Sequence, residues 1–496
     1  MEKKDRKKGR VNDFFGDKTK RIVLIGLAPG LYPLFFYFTN NFMMINSWKH
    51  LGFFLALFVF FPICFFLVLN FLLKDRNDVF KKKAFTFFNI LAFGLFIQIC
   101  LTATLQVLYS LLTLLLAAAV AWFLYRFFKK IIVLQFILAL LGLFWFVPVM
   151  YNYLSYSDAW MEQPDNITEA IFTKRPNVYY IEPDGYLNFS EFNKGFYNKD
   201  SGGFKEYLES KNFTLYDGFR SNYNATLPSN TSTFAMRHHY NNIGFNLSEV
   251  VNGRKIIITE NPVLNIFKNN DYKTHYLAEW PFFLSNLPEI GYDVCNYNYN
   301  EVGYVGDGYY EKKDIIEPLK KYIDEDRDKS KFFFIHVFEP GHVEFYEKKS
   351  LGAEKERDKW YEKLTNANEK LESVINIITE EDPTALIFIM ADHGGYVGYD
   401  YMEEIHSKIE DKEKLHSAFS VIYAVKWPNN ERFEEDSKFK TSVNAFRILF
   451  SYLSENKKYL DHLEEDASFV KIEKGAPKGE YRVLDENGNA VFEKLQ

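Results

Sequence analysis

The sequence predicts an α/β protein carried on five N-terminal transmembrane helices. Three observations lead there. Apolar residues crowd into long runs before about residue 154, short apolar runs alternate with amphipathic stretches from residue 171 onward, and 48% of the 496 residues are hydrophobic and 18% aromatic.

The runs at 21–42, 51–73, 84–105, 106–127 and 131–153 are each near the roughly 20 residues needed to cross a hydrocarbon core as a helix. A cleaved signal peptide is not expected, because no small-x-small site follows the first run and four more runs do. Orientation comes from the basic residues. "MEKKDRKKGR" at the start, "KDRNDVFKKK" after the second run and "RFFKK" before the fifth are strongly positive, whereas "MMINSWKH" is nearly neutral. With the basic segments inside, everything after the fifth helix lies outside. The boundary inside "CLTATLQVLYSLL" has hardly any polar turn; were the third and fourth runs one element, the parity would reverse.

Beyond residue 171, "NVYYIE" reads as a buried strand ending in "PDGY", and "GGFKEYLESKNFTLYDGF" as helix, break and strand. "KKDIIEPLKKYIDEDR" is helical, "KFFFIHVF" a strand and "KWYEKLTNANEKLESVINIITE" a long helix. "TALIFIMADHGG" is a strand running into a Gly-rich loop, "AFSVIYAVKWP" a strand and "SVNAFRILFSYLS" a helix. "YRVLDENGNAVFEK" carries the Asn-Gly signal of a hairpin. The predicted division is 1–155 membrane, 156–170 juxtamembrane linker and 171–496 catalytic domain, with the aromatic "YNYLSYSDAW" lying along the outer interface. The charged stretch 343–362 is either a flap or a solvated helix start. The tail after 465 is a terminal hairpin, or it adds edge strands or shapes an acceptor groove.

Cys64 and Cys100 fall in predicted spans and only Cys295 beyond them, so the predicted catalytic domain has no internal disulfide; at its length it needs none. A net charge of −6 and the lack of a basic, aromatic-interleaved patch exclude nucleic acid as the expected partner.

Groups able to bind a cation or attack an electrophile stand at the ends of separate predicted strands: Asp184, then His336 and His342, then Asp392 and His393. Carboxyl ends of strands in an open α/β sheet converge on one crevice. Each signal also has a plainer reading. Asp184-Gly185 suits an ordinary turn, Asp392-His393 a structural pair, and His336, flanked by Phe334, Ile335, Val337 and Phe338, a satisfied core histidine.

"PNVYYIEPDGY", "SNYNATLPSNTSTFAM", "FFFIHVFEPGHVEFYE" and "ALIFIMADHGG" occur in the order and approximate spacing of the alkaline phosphatase superfamily. They resemble its membrane-bound, sulfatase-like branch, which includes lipoteichoic acid synthases, phosphoglycerol transferases and phosphoethanolamine transferases. That resemblance implies an alkaline-phosphatase-like α/β/α sandwich facing out of the bacterial cytoplasmic membrane. It also implies a nucleophile at Thr226, on the first turn of a helix, where a bound metal lowers the hydroxyl pKa and the helix N-terminus favours phosphate. By the same matching the metal ligands are Asp184, Thr226, Asp392 and His393, for a divalent ion with zinc the first choice and manganese the second. His342 matches a histidine that touches the phosphate or assists the leaving group, and His336 belongs to the same neighbourhood. His406 is a candidate for a second metal or for substrate. Ser229, Thr231, Ser232 and Thr233 are expected to cap or pack the helix.

The departures bear on activity. True sulfatases carry a C/S-x-P-S-R motif; "TLPSN" keeps the proline and serine but begins with Thr226 and ends with Asn230, which argues against sulfate-ester hydrolysis. "EPGHVEF" differs from the "SHGP" of phosphoethanolamine transferases, which leaves the head group open. The expected activity is transfer of a phospholipid-derived phosphoglycerol or phosphoethanolamine through phospho-Thr226 to a surface glycan, lipopolysaccharide or teichoic-acid-like acceptor. The alternatives are a membrane-anchored phosphodiesterase or phosphatase, and an inactive envelope scaffold.

Overall fold

The computed structural model describes residues 18–41, 47–240, 250–305, 308–309 and 311–495. The basic segment 1–10, the last residue of the first predicted run and Met43–Asn46 of the neutral stretch lie outside these.

Helices α1 (Lys18–Asn41), α2 (Trp48–Leu72, with a π-helical segment Ala56–Phe60), α3 (Asp78–Thr102), α4 (Val107–Phe123) and α5 (Phe128–Leu154) form the N-terminal bundle. Four are long and apolar enough to cross a membrane; α4, at 17 residues, is the short one. The doubtful third-to-fourth boundary is a real break, since Ala103 takes a left-handed conformation (φ 51°) and ends α3. Helix α1 packs against α2, α3 and α5. Its Gly30 allows the close crossing, because a Cβ there would stand 1.6 Å from the Phe58 carbonyl oxygen in the π segment.

The rest of the chain meets this bundle where α2 begins. The Tyr304 ring stacks on Phe53 at 4.6 Å, and its carbonyl lies 3.2 Å from His50 Nε2. Val305 packs on the cluster that holds Phe38, Phe54 and Phe96. Because successive helices alternate in direction, the basic residues 74–83 and 126–130 fall at the other end of the bundle.

The α/β part is built on a seven-stranded sheet of order β2-β7-β6-β1-β5-β3-β4. Strands β1 (Val178–Pro183), β3 (Lys273–Ala278), β4 (Val294–Cys295), β5 (Lys331–Val337) and β6 (Leu386–Met390) run parallel. β7 (Tyr423–Lys426) is antiparallel to β6, and β2 (Thr214–Leu215) to β7. The central strands are buried on both faces, as their apolar runs require. Aromatic rings continue from strand to strand: Tyr180 stacks on Phe334 at 5.0 Å and on Phe388 at 4.8 Å, its register partners on β5 and β6. Tyr179 stacks on Phe333 at 4.8 Å.

The covering helices are α6 (Phe204–Ser210), α7 (Thr226–Ala235), α8 (Gly253–Ile258), α9 (Pro262–Asn269), α10 (Ile316–Asp324), α11 (Ala353–Glu381), α12 (Lys412–Phe419) and α13 (Ser442–Ser454). Phe234, Phe267 and Phe446, from α7, α9 and α13, pack edge-on or stacked against the aromatic rings of the sheet. A separate sheet of β8 (Ser468–Ile472), β9 (Gly479–Leu484) and β10 (Ala490–Lys494) closes the chain.

Several expectations change. Strands β3 and β4 and helices α8 and α9 lie in a stretch to which the sequence reading assigns no element. Helix α11 starts at Ala353, so the second half of the 343–362 stretch is helix. The tail is a three-stranded sheet, not a lone hairpin, because β8 pairs with β9. The segment before residue 171 is not a loose linker: Ile167 and Ala170 are buried in the core, and Asp165 forms a 2.8 Å ion pair with Arg447.

Candidate functional site

Three strand ends and one helix start supply the site. Asp184 follows β1; its N–H donates to the Val337 carbonyl at 2.8 Å, and its own carbonyl accepts from Gly341 at 2.8 Å. Gly185 permits this crossing, since it holds φ +67° and a Cβ there would meet the Gly341 oxygen at 2.1 Å. Asp392 and His393 follow β6. The glycines after them are forced by close approach, because a Cβ on Gly394 would lie 2.1 Å from the Ser417 carbonyl oxygen.

His393 Nδ1 donates to the Gly394 carbonyl at 2.9 Å, which leaves Nε2 as the lone pair. Around that Nε2 stand Asp184 Oδ1 at 3.3 Å, Asp392 Oδ2 at 3.4 Å and Thr226 Oγ1 at 3.4 Å. Both carboxylate oxygens are buried and accept no hydrogen bond, whereas Asp392 Oδ1 is satisfied by the N–H groups of Gly185 and His393. Buried acceptors without donors cost free energy unless a cation meets them. Two carboxylates, an imidazole lone pair and a hydroxyl fit one divalent ion.

The electrostatics agree. Burial first, and then the Asp392 charge, push the Asp184 carboxyl up to about 7, with His393 opposing. For His393 burial acts downward, but the Asp392 and Asp184 carboxylates outweigh it and raise the imidazole pKa. A divalent cation reverses both trends by favouring ionised carboxylates and a neutral imidazole.

Thr226 is the first residue of α7. The preceding Ala225 offers no side-chain cap, so the first-turn N–H groups remain available to an anion. Three other hydroxyls of this stretch are engaged elsewhere: Ser229 donates to the Tyr223 carbonyl at 2.8 Å, Thr231 to the Leu227 carbonyl at 2.7 Å and Ser232 to the Arg237 carbonyl at 2.9 Å.

Asp184, Thr226, His342, His393 and His406 line one cavity of about 360 Å³. Phe282, Tyr309 and Phe345 make one apolar wall, and Glu403, His406, Lys471 and Glu473 a polar one. His342 Nδ1 donates to the Val343 carbonyl; burial, then the charge of His393, lower its pKa to about 4, so it is neutral near pH 7. His406 Nδ1 donates to the Lys471 carbonyl at 2.9 Å on the rim, apart from the Asp184–Asp392–His393 cluster.

His336 is a correction. It sits inside β5, fully buried between Phe283 and Phe338, and does not line the cavity; register on the sheet pairs it with Glu182, not with Asp184. Its Nε2 is 3.4 Å from Glu182 Oε1, and burial lowers its pKa to about 3.

Glu182 and Asn230 are the residues that sequence reasoning missed. Asn230 Nδ2 donates to Glu182 Oε1 at 3.0 Å and to the Thr226 carbonyl at 3.1 Å, tying the first turn of α7 to β1. The available signal was a carboxylate within an otherwise apolar strand, since such a group is buried only when its partners are built in.

A cation-ready cluster at the C-terminal edge of a mainly parallel sheet, with a hydroxyl at a helix start and apolar helices in the same chain, marks an α/β protein with a candidate metal site. The profile of the sulfatase family matches residues 197–453, and the chain belongs to that family. No curated protein matches it in sequence. Among solved structures it is similar to the integral membrane lipooligosaccharide phosphoethanolamine transferase A from Neisseria meningitidis, at 11% identity and TM-score 0.44, covering 87% of this chain and 95% of that one. It is also similar to the lipoteichoic acid synthase LtaP from Listeria monocytogenes (11%, TM-score 0.41, 67% and 91% covered). A third is the C-terminal periplasmic domain of EcEptC from Escherichia coli in complex with Zn (10%, TM-score 0.39, 57% and 83% covered).

Proposed function

We propose that the protein is a metal-dependent phosphotransferase. It moves a phospholipid head group, phosphoglycerol or phosphoethanolamine, through a covalent Thr226 diester to a hydroxyl of a cell-surface glycan or lipid-linked acceptor. The observation that carries this reading is the Thr226 hydroxyl, at an uncapped helix start and 3.4 Å from the His393 lone pair.

In this reading residues 1–155 anchor the protein in the bacterial cytoplasmic membrane and 156–170 join them to the catalytic domain, 171–496. The domain is extracytoplasmic, which the basic residues at the far end of the bundle support. Asp184, Asp392, His393 and Thr226 hold one divalent cation, zinc first and manganese second. When bound, the cation lowers the threonine pKa and offsets phosphate charge.

The chain's own residues supply the rest. The first-turn N–H groups of α7 bind the phosphate oxygens. The bond from Thr226 Oγ1 to phosphorus forms as the bond from phosphorus to the diacylglycerol oxygen breaks. Neutral His342 takes the hydroxyl proton at Nε2 and returns it to the leaving oxygen. In the second half an acceptor hydroxyl gives its proton to His342 and attacks the same phosphorus as the bond from phosphorus to Thr226 Oγ1 breaks; His342 passes the proton to Oγ1, which restores Thr226. Glu182, through Asn230, holds the helix turn that presents the nucleophile.

The test is full-length protein in vesicles of phosphatidylglycerol and phosphatidylethanolamine, with and without a glycan acceptor. Acceptor-dependent diacylglycerol release with the head group recovered on the glycan is expected. Release independent of acceptor, with the head group free in water, contradicts transfer and identifies a hydrolase.

A further inference from the structure

Exposed aromatic side chains are uncommon on the α/β part of the molecule, and several gather at one place. Tyr309 (48% exposed) and Phe345 (36%) line the cavity, and Tyr346 (51%) extends this surface outward, edge to face on Phe345 at 4.7 Å. Tyr309 packs on Phe282, which lines the same cavity, at 5.8 Å and on Phe338 at 5.7 Å.

The stretch that carries Tyr309 is also the one that meets the membrane helices, through Tyr304 on Phe53 and Val305 on the α1–α3 cluster. The charged residues of the lining come from other segments, 403–406 and 471–473. There Lys471 and Glu473 form a 3.1 Å ion pair beside Glu403 and His406.

We propose that the rim of Tyr309, Phe345 and Tyr346 is the docking site for the glycerol and acyl-chain end of a membrane phospholipid, an inference that rests on the phospholipid-donor reading above. Continuity with the membrane helices selects this occupant. A lipid whose phosphorus reaches Thr226 must keep its chains near apolar surface, and the rim is that surface between bilayer and cavity. The polar wall is then left to the head group and the acceptor.

The experiment compares full-length wild type with Tyr309→Ser/Tyr346→Ser in phosphatidylcholine vesicles. One donor is dioleoyl phosphatidylglycerol or phosphatidylethanolamine in the bilayer; the other is the dihexanoyl form of the same lipid, supplied from solution. The ratio of kcat/KM for long over short chains is expected to fall about tenfold in the variant, chiefly through KM for the long-chain donor. Tyr309→Phe/Tyr346→Phe is expected to restore the ratio. An unchanged ratio overturns the proposal, whether both donors are slowed equally or neither is. So does a dimer that the serine variant converts to monomer, which would assign the rim to a second copy of the chain. Absence of diacylglycerol release from any phospholipid by the wild type is a distinct outcome that removes the donor reading itself, and the rim proposal with it.

Discussion

Two carboxylate–imidazole groupings meet at the end of β1, with Glu182 inside the strand and Asp184 just past it, and differ in number and in setting. Asp184 and Asp392 face His393 at 3.3 and 3.4 Å, and Glu182 faces His336 at 3.4 Å. The first set stands past the strand ends, opens on the cavity and is joined by a hydroxyl. The second lies within β1 and β5, sealed by aromatic rings, and its carboxylate is satisfied by Asn230 and by the Tyr180 hydroxyl. Pair chemistry alone therefore does not make a site. Position relative to the strand end decides whether a buried charge meets ligand or only protein.

The comparison is broken most severely at the open pair. His393→Gln is expected to lose bound metal, read by elemental mass spectrometry, and to lower transfer by at least about 10³-fold. His342→Gln sharpens it, since His342 shares the cavity without belonging to the cluster. Its kcat should fall about 10²–10³-fold while metal content is kept. Asn230→Leu touches the link between the two pairs. It is expected to lower kcat about tenfold and stability by about 1–2 kcal/mol, since Glu182 loses a buried donor. At the closed pair, His336→Phe removes two nitrogens that have no hydrogen-bond partner. Unfolding stability should change by no more than about 1 kcal/mol, with metal content retained.

The smallest and broadest effect is pH. Burial lowers the pKa of His238 and His275 to about 4 and of His239 to about 3, against an ordinary 6.5. The unfolded chain binds these protons first on acidification, so their stabilisation is full above about pH 6.5 and is lost as the pH falls toward the folded-state values. The thermal midpoint of the full chain should decline from pH 6.5 to 4.5, and less steeply in His275→Gln.

Much of this was readable in the sequence where local pattern and burial coincide. β1, β5 and β6 are central strands with apolar runs of at least four residues, and Asp184, Thr226, Asp392 and His393 sit beside punctuation that the backbone needs: Asp-Gly, a helix start, Gly-Gly. β3, "KTHYLA", escaped because its buried polar residues interrupt the run; Thr274 is paired with Asp293, and His275 stacks on Phe333. β4 is two residues long, and β8 is defined only by its partner β9. His336 was ambiguous because a core histidine and a site histidine look alike between phenylalanines; only register separates them. Asn230 stood in the sequence only as the departure from the sulfatase motif, and its importance comes from a helix turn and a strand meeting in space.

The central claim, that Thr226 carries the transferred group, is tested most directly by peptide mass spectrometry of metal-loaded, full-length enzyme incubated with mixed phosphatidylglycerol and phosphatidylethanolamine without acceptor. The account predicts a phosphoglycerol or phosphoethanolamine adduct on the Thr226 peptide, absent from Thr226→Ala. An adduct on another residue, or diacylglycerol release that persists in Thr226→Ala, would contradict it.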